Sequence, residues 1–260
     1  MIIENEMFIE PEYSFEINGN YYKNFRTYSE YNYLNHGFGS NLKRMHFQSA
    51  LKLTKTYFNK ANVIDFGCAD GCLLPSLSTY FNRVLGIDIN PNFTEISQNL
   101  INTMNLKNVD VICNKNMDNN ELKSVINEDF DIVFLLEVLE HVGNKNRMYK
   151  SKIDLLKEIS SLIKNDGLIV ISVPNMVGLS FMLQRMGFAL FGMQREELSW
   201  KQLIKASFLN NTNELEKNWS NGHLGFNHKK LEHYMEKEFK IIHNNNLIFQ
   251  IIYVIKKLGG

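Results

Sequence analysis

The sequence predicts an α/β fold: a doubly wound, mostly parallel sheet of seven strands, with a helical lead before it and a helical insertion late in it. Three observations carry this reading. Short apolar runs ending in an acid recur along the chain, as in Val63–Asp65, Val84–Asp88 and Ile132–Glu137. Segments with apolar residues at helical spacing separate them, and such alternation through five strands implies a parallel sheet with right-handed crossovers. The first run passes directly into a glycine turn, Gly67-Cys68-Ala69-Asp70-Gly71, which is the usual entrance to a ligand site above a strand. On this reading residues 1–60 form an aromatic-rich N-terminal cap, and residues 61–260 form one domain with a lid insertion at about 176–222.

The lead scatters Tyr13, Tyr21, Tyr22, Tyr28, Tyr31, Tyr33 and Phe38 among Asn, Glu and Lys. Leu42, Met45, Leu51, Leu53 and Tyr57 fall near helical spacing and predict a helix over about 42–58. The stretch Asn35-His36-Gly37-Phe38-Gly39-Ser40 before it reads as a hinge.

The turn after the first strand needs glycine for two reasons. Glycine accepts backbone angles closed to other residues, and it has no side chain to keep a ligand off the backbone. Ala69 stands where a dinucleotide fingerprint has its second glycine, and no Gly-Lys-Ser/Thr follows, so a P-loop is excluded. A second strand, Arg83–Asp88, ends on an acid whose two oxygens can accept both hydrogen bonds of a ribose diol, or serve as a turn acid. Asn90 and Pro91 then start a helix, Asn as cap and Pro at a position where no N–H is missed. Phe93, Ile96, Leu100, Ile101 and Met104 form its apolar face.

Val109–Cys113 predicts the third strand. The near-continuous apolar run Phe130–Leu136 predicts a central strand buried on both faces. It ends in Glu137-x-x-Glu140-His141, and on a helical turn positions i, i+3 and i+4 share one face. Such a cluster is a partial metal site, an acid/base group, or a helix start with acids favoured by the dipole. A helix over 151–164 follows, with Ser151-Lys152-Ile153-Asp154 resembling a capping box and Asn165-Asp166-Gly167 ending it. Leu168–Asn175 is the fifth strand, stopped by Pro174. Residues 176–222 are rich in Met, Phe and Leu and read as a packed lid, a dimer surface or a segment touching a lipid monolayer. A helix to about Glu238 and two final strands, Phe239–His243 and Leu247–Ile255, complete the chain.

Composition narrows the function classes. Of 260 residues, 44% are hydrophobic, which suffices for a large core, and the net charge of zero argues against a nucleic-acid partner. No run reaches the length of a membrane span, and Met1–Glu6 lacks the basic and apolar regions of a signal peptide. Cys68, Cys72 and Cys113 read as free thiols in a reducing, cytoplasmic setting.

Taken in order, Asp65-Phe66-Gly67-Cys68-Ala69-Asp70-Gly71, Asp88, Glu137-Val138-Leu139-Glu140-His141-Val142 and Ser172-Val173-Pro174-Asn175 resemble the motifs of the class I S-adenosyl-L-methionine (SAM) dependent methyltransferases, with a Rossmann-like sheet. The resemblance implies that Asp65, Gly67, Cys68, Ala69 and Gly71 lie along the methionine moiety of the cofactor. It places the ribose on Asp88 beside Ile89, the adenine by Asn116 or Met117, and Leu136 and Glu137 at the cofactor's border. Glu137, Glu140 and His141 with the distant His223 are similar to the divalent-cation cluster of small-RNA 2′-O-methyltransferases and of ubiquinone-pathway O-methyltransferases. There the cation sits beside the acceptor hydroxyl, which gives Glu137, His141 and His223 catalytic roles. The implied reaction is methylation of a small molecule at a hydroxyl oxygen. RNA 2′-O-methylation and an NAD(P)-dependent oxidoreductase of similar topology are the alternatives.

Overall fold

A computed structural model describes residues 6–13, 16–17, 20–21, 27–35, 37–126, 129–190, 198–220 and 222–258. Tyr22, His36 and residues 191–197 of the expected insertion lie outside them. Seven strands form one sheet: β1 Asn62–Phe66, β2 Arg83–Asp88, β3 Val109–Cys113, β4 Phe130–Leu136, β5 Ile163–Pro174, β6 Phe239–Asn246 and β7 Gln250–Lys257. Their order is β3-β2-β1-β4-β5-β7-β6. The pairs β1–β2, β1–β4 and β2–β3 are parallel, and β6–β7 is antiparallel with an irregularity between Ile241 and His243. The sheet is therefore mixed, as the sequence predicts, with the final hairpin contributing its edge strand.

The order reverses direction beside β1, between β2 on one flank and β4 on the other. Ligands of open α/β sheets bind outside the carboxyl ends of the strands at such a point. The Gly67–Gly71 turn leaves β1 there.

The chain divides into two compact units. The first comprises Met1–Leu135 with Ser161–Val170, and the second Leu136–Ser160 with Ile171–Gly260. In the first, Val63, Ile64, Val84, Ile87, Ile132 and Val133 are fully buried strand residues, and the Phe81 and Phe134 rings meet edge to face. Around them lie helices α1 Tyr28–Asn32, α2 Phe38–Leu53, α3 Leu74–Tyr80, α4 Pro91–Thr103 and α5 Asn119–Ile126, and Glu16–Ile17 pairs with Asn20–Tyr21 as a short ribbon. The second unit carries α6 Met148–Ser160, α7 Gly178–Leu190, α8 Trp200–Leu209, α9 Asn213–Glu216 and α10 His228–Met235. Met176, Phe181, Leu203, Ala206 and Leu215 form a small core within this unit.

Several boundaries differ from the sequence reading. The helix expected over 42–58 is α2, which begins at Phe38, so Gly37 is its N-cap in extended conformation and the expected hinge is a helix start. It ends at Leu53 because the Thr54 hydroxyl turns back onto the carbonyls of Ala50 and Leu51. The helix expected over 151–164 runs from Met148 to Ser160, and the supposed capping box lies inside it. Asn165-Asp166-Gly167 belongs to β5. Gly167 is a close-approach glycine: a Cβ there would lie 2.9 Å from the Asp131 carbonyl oxygen of β4.

Candidate functional site

The turn after β1 is held by alternating backbone angles. Gly67, Ala69 and Gly71 all adopt positive φ, at 81°, 48° and 87°. The Gly67 and Cys68 N–H groups both donate to the Ile87 carbonyl, at 2.7 and 3.1 Å, which locks the turn to the neighbouring strand. A Cβ on Gly71 would lie about 3 Å from Leu74, Ser97 and Leu100 together, so packing and φ both demand glycine. Ala69 tolerates its left-handed angle at a cost of about 1 kcal/mol. Two hydrogen bonds offset that: its N–H donates to Asp88 Oδ2 at 2.9 Å, and its carbonyl accepts from Ser97 Oγ at 2.9 Å.

Asp88 thus has a structural task. Its Oδ1 also accepts from the Asn90 N–H at 2.8 Å, so it ties the turn after β1 to the turn after β2. Each carboxylate oxygen keeps a further acceptor direction, which leaves room for a ligand hydroxyl. Asp65 is 5% exposed, and burial, followed by the Asp88 charge, lifts its carboxyl to about 7. Burial likewise pushes the Cys68 thiol up, so this cysteine is an inert packing residue. Ile89 is largely exposed, Asn116 exposed and Met117 half-buried. Their loops meet at the backbone, where the Asn114 N–H donates to the Asp88 carbonyl at 3.1 Å.

Asp70 was not legible as a functional residue. It accepts from the Ser29 N–H at 2.7 Å and from the Ser29 hydroxyl, and so fastens α1 to the glycine turn. Tyr28 of α1 packs its ring on Phe93 of α4, with centroids 5.7 Å apart.

The second unit holds the polar cluster. Leu136 ends β4, and Glu137 follows at φ 57° with its N–H on the Ser172 carbonyl and hydroxyl and its carboxylate accepting from Ser172 Oγ at 3.0 Å. Glu140 and His141 sit in a single 3-10 turn, Leu139–His141. Glu140 is fully buried, and neither carboxylate oxygen has a hydrogen-bond partner. The Nε2 atoms of His141 and His223 each lie 3.7 Å from its Oε1. Burial, followed by the Glu137 charge, raises the Glu140 carboxyl well above the usual range. Ligand atoms of Glu140, His141 and His223 fall within 4.8 Å of one another. The structure therefore assembles three of the four residues the sequence grouped together, and Glu137 is held aside on Ser172. Lys152, buried beside the cluster, has no place among the site residues that the sequence suggests. Its signal was a lysine four residues before Leu156, on the apolar stripe of its helix.

A family model described as a methyltransferase domain matches residues 38–247. A mitochondrial ubiquinone biosynthesis O-methyltransferase of Dictyostelium discoideum is 35% identical over 138 residues, covering 48% of this chain and 39% of that protein. A ubiquinone biosynthesis O-methyltransferase of Glaesserella parasuis is 30% identical over 179 residues, covering 64% of this chain and 71% of that one. The chain thus spans about two-fifths of the first relative's length. In fold it resembles the PH0226 protein of Pyrococcus horikoshii, with TM-score 0.61 and 14% identity over 90% of this chain and all of that one.

Proposed function

The chain belongs to the methyltransferase-domain family, and we propose that it moves a methyl group from SAM to a hydroxyl oxygen of a small-molecule acceptor. The observation that carries this reading is the glycine turn fastened onto Asp88, a cradle whose open acceptor positions suit a ribose. The cofactor supplies a methyl already activated on a sulfonium. The chain's share is binding and alignment, which together account for much of the rate in such a transfer. Asp88 accepts from the ribose, Gly67 and Ala69 lie against the methionine moiety, and Asp65 offers a carboxylate to a cationic ligand. Asn116 and Met117 border the adenine.

Glu140, His141 and His223 are assigned to a divalent cation such as Mg²⁺ or Mn²⁺. A buried carboxylate without hydrogen-bond partners, flanked by two imidazole nitrogens, fits the mixed oxygen and nitrogen donors that Mn²⁺ accepts better than the oxygen donors that Mg²⁺ prefers. The 3.7 Å separations exceed hydrogen-bond length and favour this over a His–Glu proton relay. The cation would lower the pKa of an adjacent hydroxyl. Helices α7 and α8 expose Leu179, Leu183, Met186, Trp200, Ile204 and Phe208, apolar surface that fits a lid over an acceptor with an apolar portion. The names of the two curated relatives support oxygen as the accepting atom.

The test is transfer of labelled methyl from SAM to a panel of phenols, amines, thiols and RNA. Label on phenols, abolished by EDTA and restored by Mn²⁺, is expected. Label only on amines, thiols or RNA overturns the acceptor, and activity unchanged by EDTA overturns the cation.

A further inference from the structure

We propose that Lys152 is a positioning residue: its ammonium clamps the two separate segments that carry Glu140, His141 and His223. This rests on the cation assignment above for its ligand, though the clamp itself is visible in the bonding. Lys152 lies on α6 and is fully buried. Its Nζ donates to the Val142 carbonyl at 2.7 Å and to the Glu140 carbonyl at 3.4 Å, and so grips the 3-10 turn from below. The same ammonium stands over the Trp219 ring at 4.6 Å and the Phe226 ring at 5.6 Å.

Those two aromatics bracket the segment on which His223 sits. Trp219 Nε1–H donates to the Gly222 carbonyl at 2.7 Å, and the Phe226 N–H donates to the His223 carbonyl at 3.1 Å. Gly225, at φ 95°, has no room for a Cβ, which would lie 3.0 Å from the Leu215 carbonyl. Trp219 and Phe226, on either side of His223, thus share one ammonium, and that ammonium also holds the partner turn. One helical turn earlier, the Tyr149 hydroxyl accepts the Asn227 N–H at 3.1 Å and donates to Glu216 at 3.4 Å, so α6 braces the same loop a second time.

A buried lysine is expensive, because taking the charge out of water is unfavourable. Burial pulls its ammonium down to about 8, while the nearby Glu140 opposes that shift. An apolar residue could fill this volume on an otherwise apolar stripe. What the ammonium adds is simultaneous hydrogen bonding to one segment and cation–π attraction to the other. Groups that orient ligands from behind commonly change metal affinity by 10–100-fold when removed.

The experiment compares wild type and Lys152→Met, which keeps length and apolar bulk. Mn²⁺ titration of the purified, SAM-loaded protein, followed by the EPR signal of unbound Mn²⁺, is expected to show affinity weakened about 10- to 100-fold. The SAM affinity should be unchanged. Equal or tighter Mn²⁺ binding by Lys152→Met overturns the proposal, since it would mean the ammonium is indifferent or competes with the ion. A second readout needs no metal: the imidazole NMR signals of His141 and His223 are expected to shift in metal-free Lys152→Met. If wild type binds no Mn²⁺, the cation assignment fails, and these ring signals still judge the clamp; unmoved signals overturn it. Should Lys152→Met fail to fold, Trp219→Leu retains the ammonium and removes one ring. It is expected to shift the His223 signals while leaving those of His141, and the reverse pattern contradicts the clamp.

Discussion

The glycine turn and the Glu140–His141–His223 cluster are built in opposite ways. The turn is local: seven consecutive residues, Asp65 to Gly71, set its shape through backbone angles, and one carboxylate from the next strand fastens it. The cluster is assembled from a strand end and a distant loop, and side chains hold it together. The comparison shows where each is vulnerable. Backbone geometry protects the turn against most side-chain changes but not against a Cβ at Gly71. The cluster depends on a few buried polar groups, whose loss leaves uncompensated charge or empty acceptors.

The largest expected effect lies in the cluster. Glu140→Ala should lower methyl transfer about 100-fold or more, the several kcal/mol that a cation beside the acceptor supplies. SAM affinity by calorimetry should not move. A matching loss of SAM binding would show that the two regions are not separable in this way. Asp88→Ala is the converse: SAM affinity should fall about 10–100-fold, on the scale of one or two lost hydrogen bonds to a charged group. Mn²⁺ binding should be retained.

A pH measurement sharpens the contrast within the turn itself. The Asp65 carboxyl is raised from 3.8 to about 7, so the folded protein holds a proton that the unfolded chain releases. This proton's contribution is fully present below about pH 4 and is lost as pH rises through about 7. Stability of the cofactor-free protein should therefore decline over that window, by an amount on the order of 4 kcal/mol for this group. Asp65→Asn should flatten the decline in thermal unfolding followed from pH 4 to 8. A slope equal to the wild type's would place the linkage elsewhere. The smallest effect is expected for Ala69→Gly. Relief of the left-handed alanine opposes the extra freedom of glycine in the unfolded chain, and the net change should stay within about 1 kcal/mol.

The same contrast explains what the sequence disclosed. The strands and their mostly parallel arrangement follow from apolar runs and their alternation with helices, and the turn follows from glycines a few residues apart, because both signals lie among neighbours along the chain. Glu140 and His141 were legible as adjacent polar residues at a strand end. Their company with Glu137 was not settled, since a helical face was assumed where a single 3-10 turn forms and Ser172 draws Glu137 aside. His223 came from resemblance to a family, not from spacing. Asp70 enters the sequence reading only as one residue of the glycine motif, and only the fold brings Ser29 to it. Lys152 reads in the sequence only as part of a capping box, because its justification is two carbonyls and two rings from remote segments. Local geometry can be read from pattern; shared burial of distant polar groups cannot.

The turn fastened on Asp88 is proposed as a SAM cradle. Calorimetric titration of the full chain with SAM, and in parallel with NAD, tests it most directly. Saturable one-to-one binding of SAM that Asp88→Ala weakens, with no heat from NAD, is the result this account expects. Binding of NAD with none of SAM would contradict it.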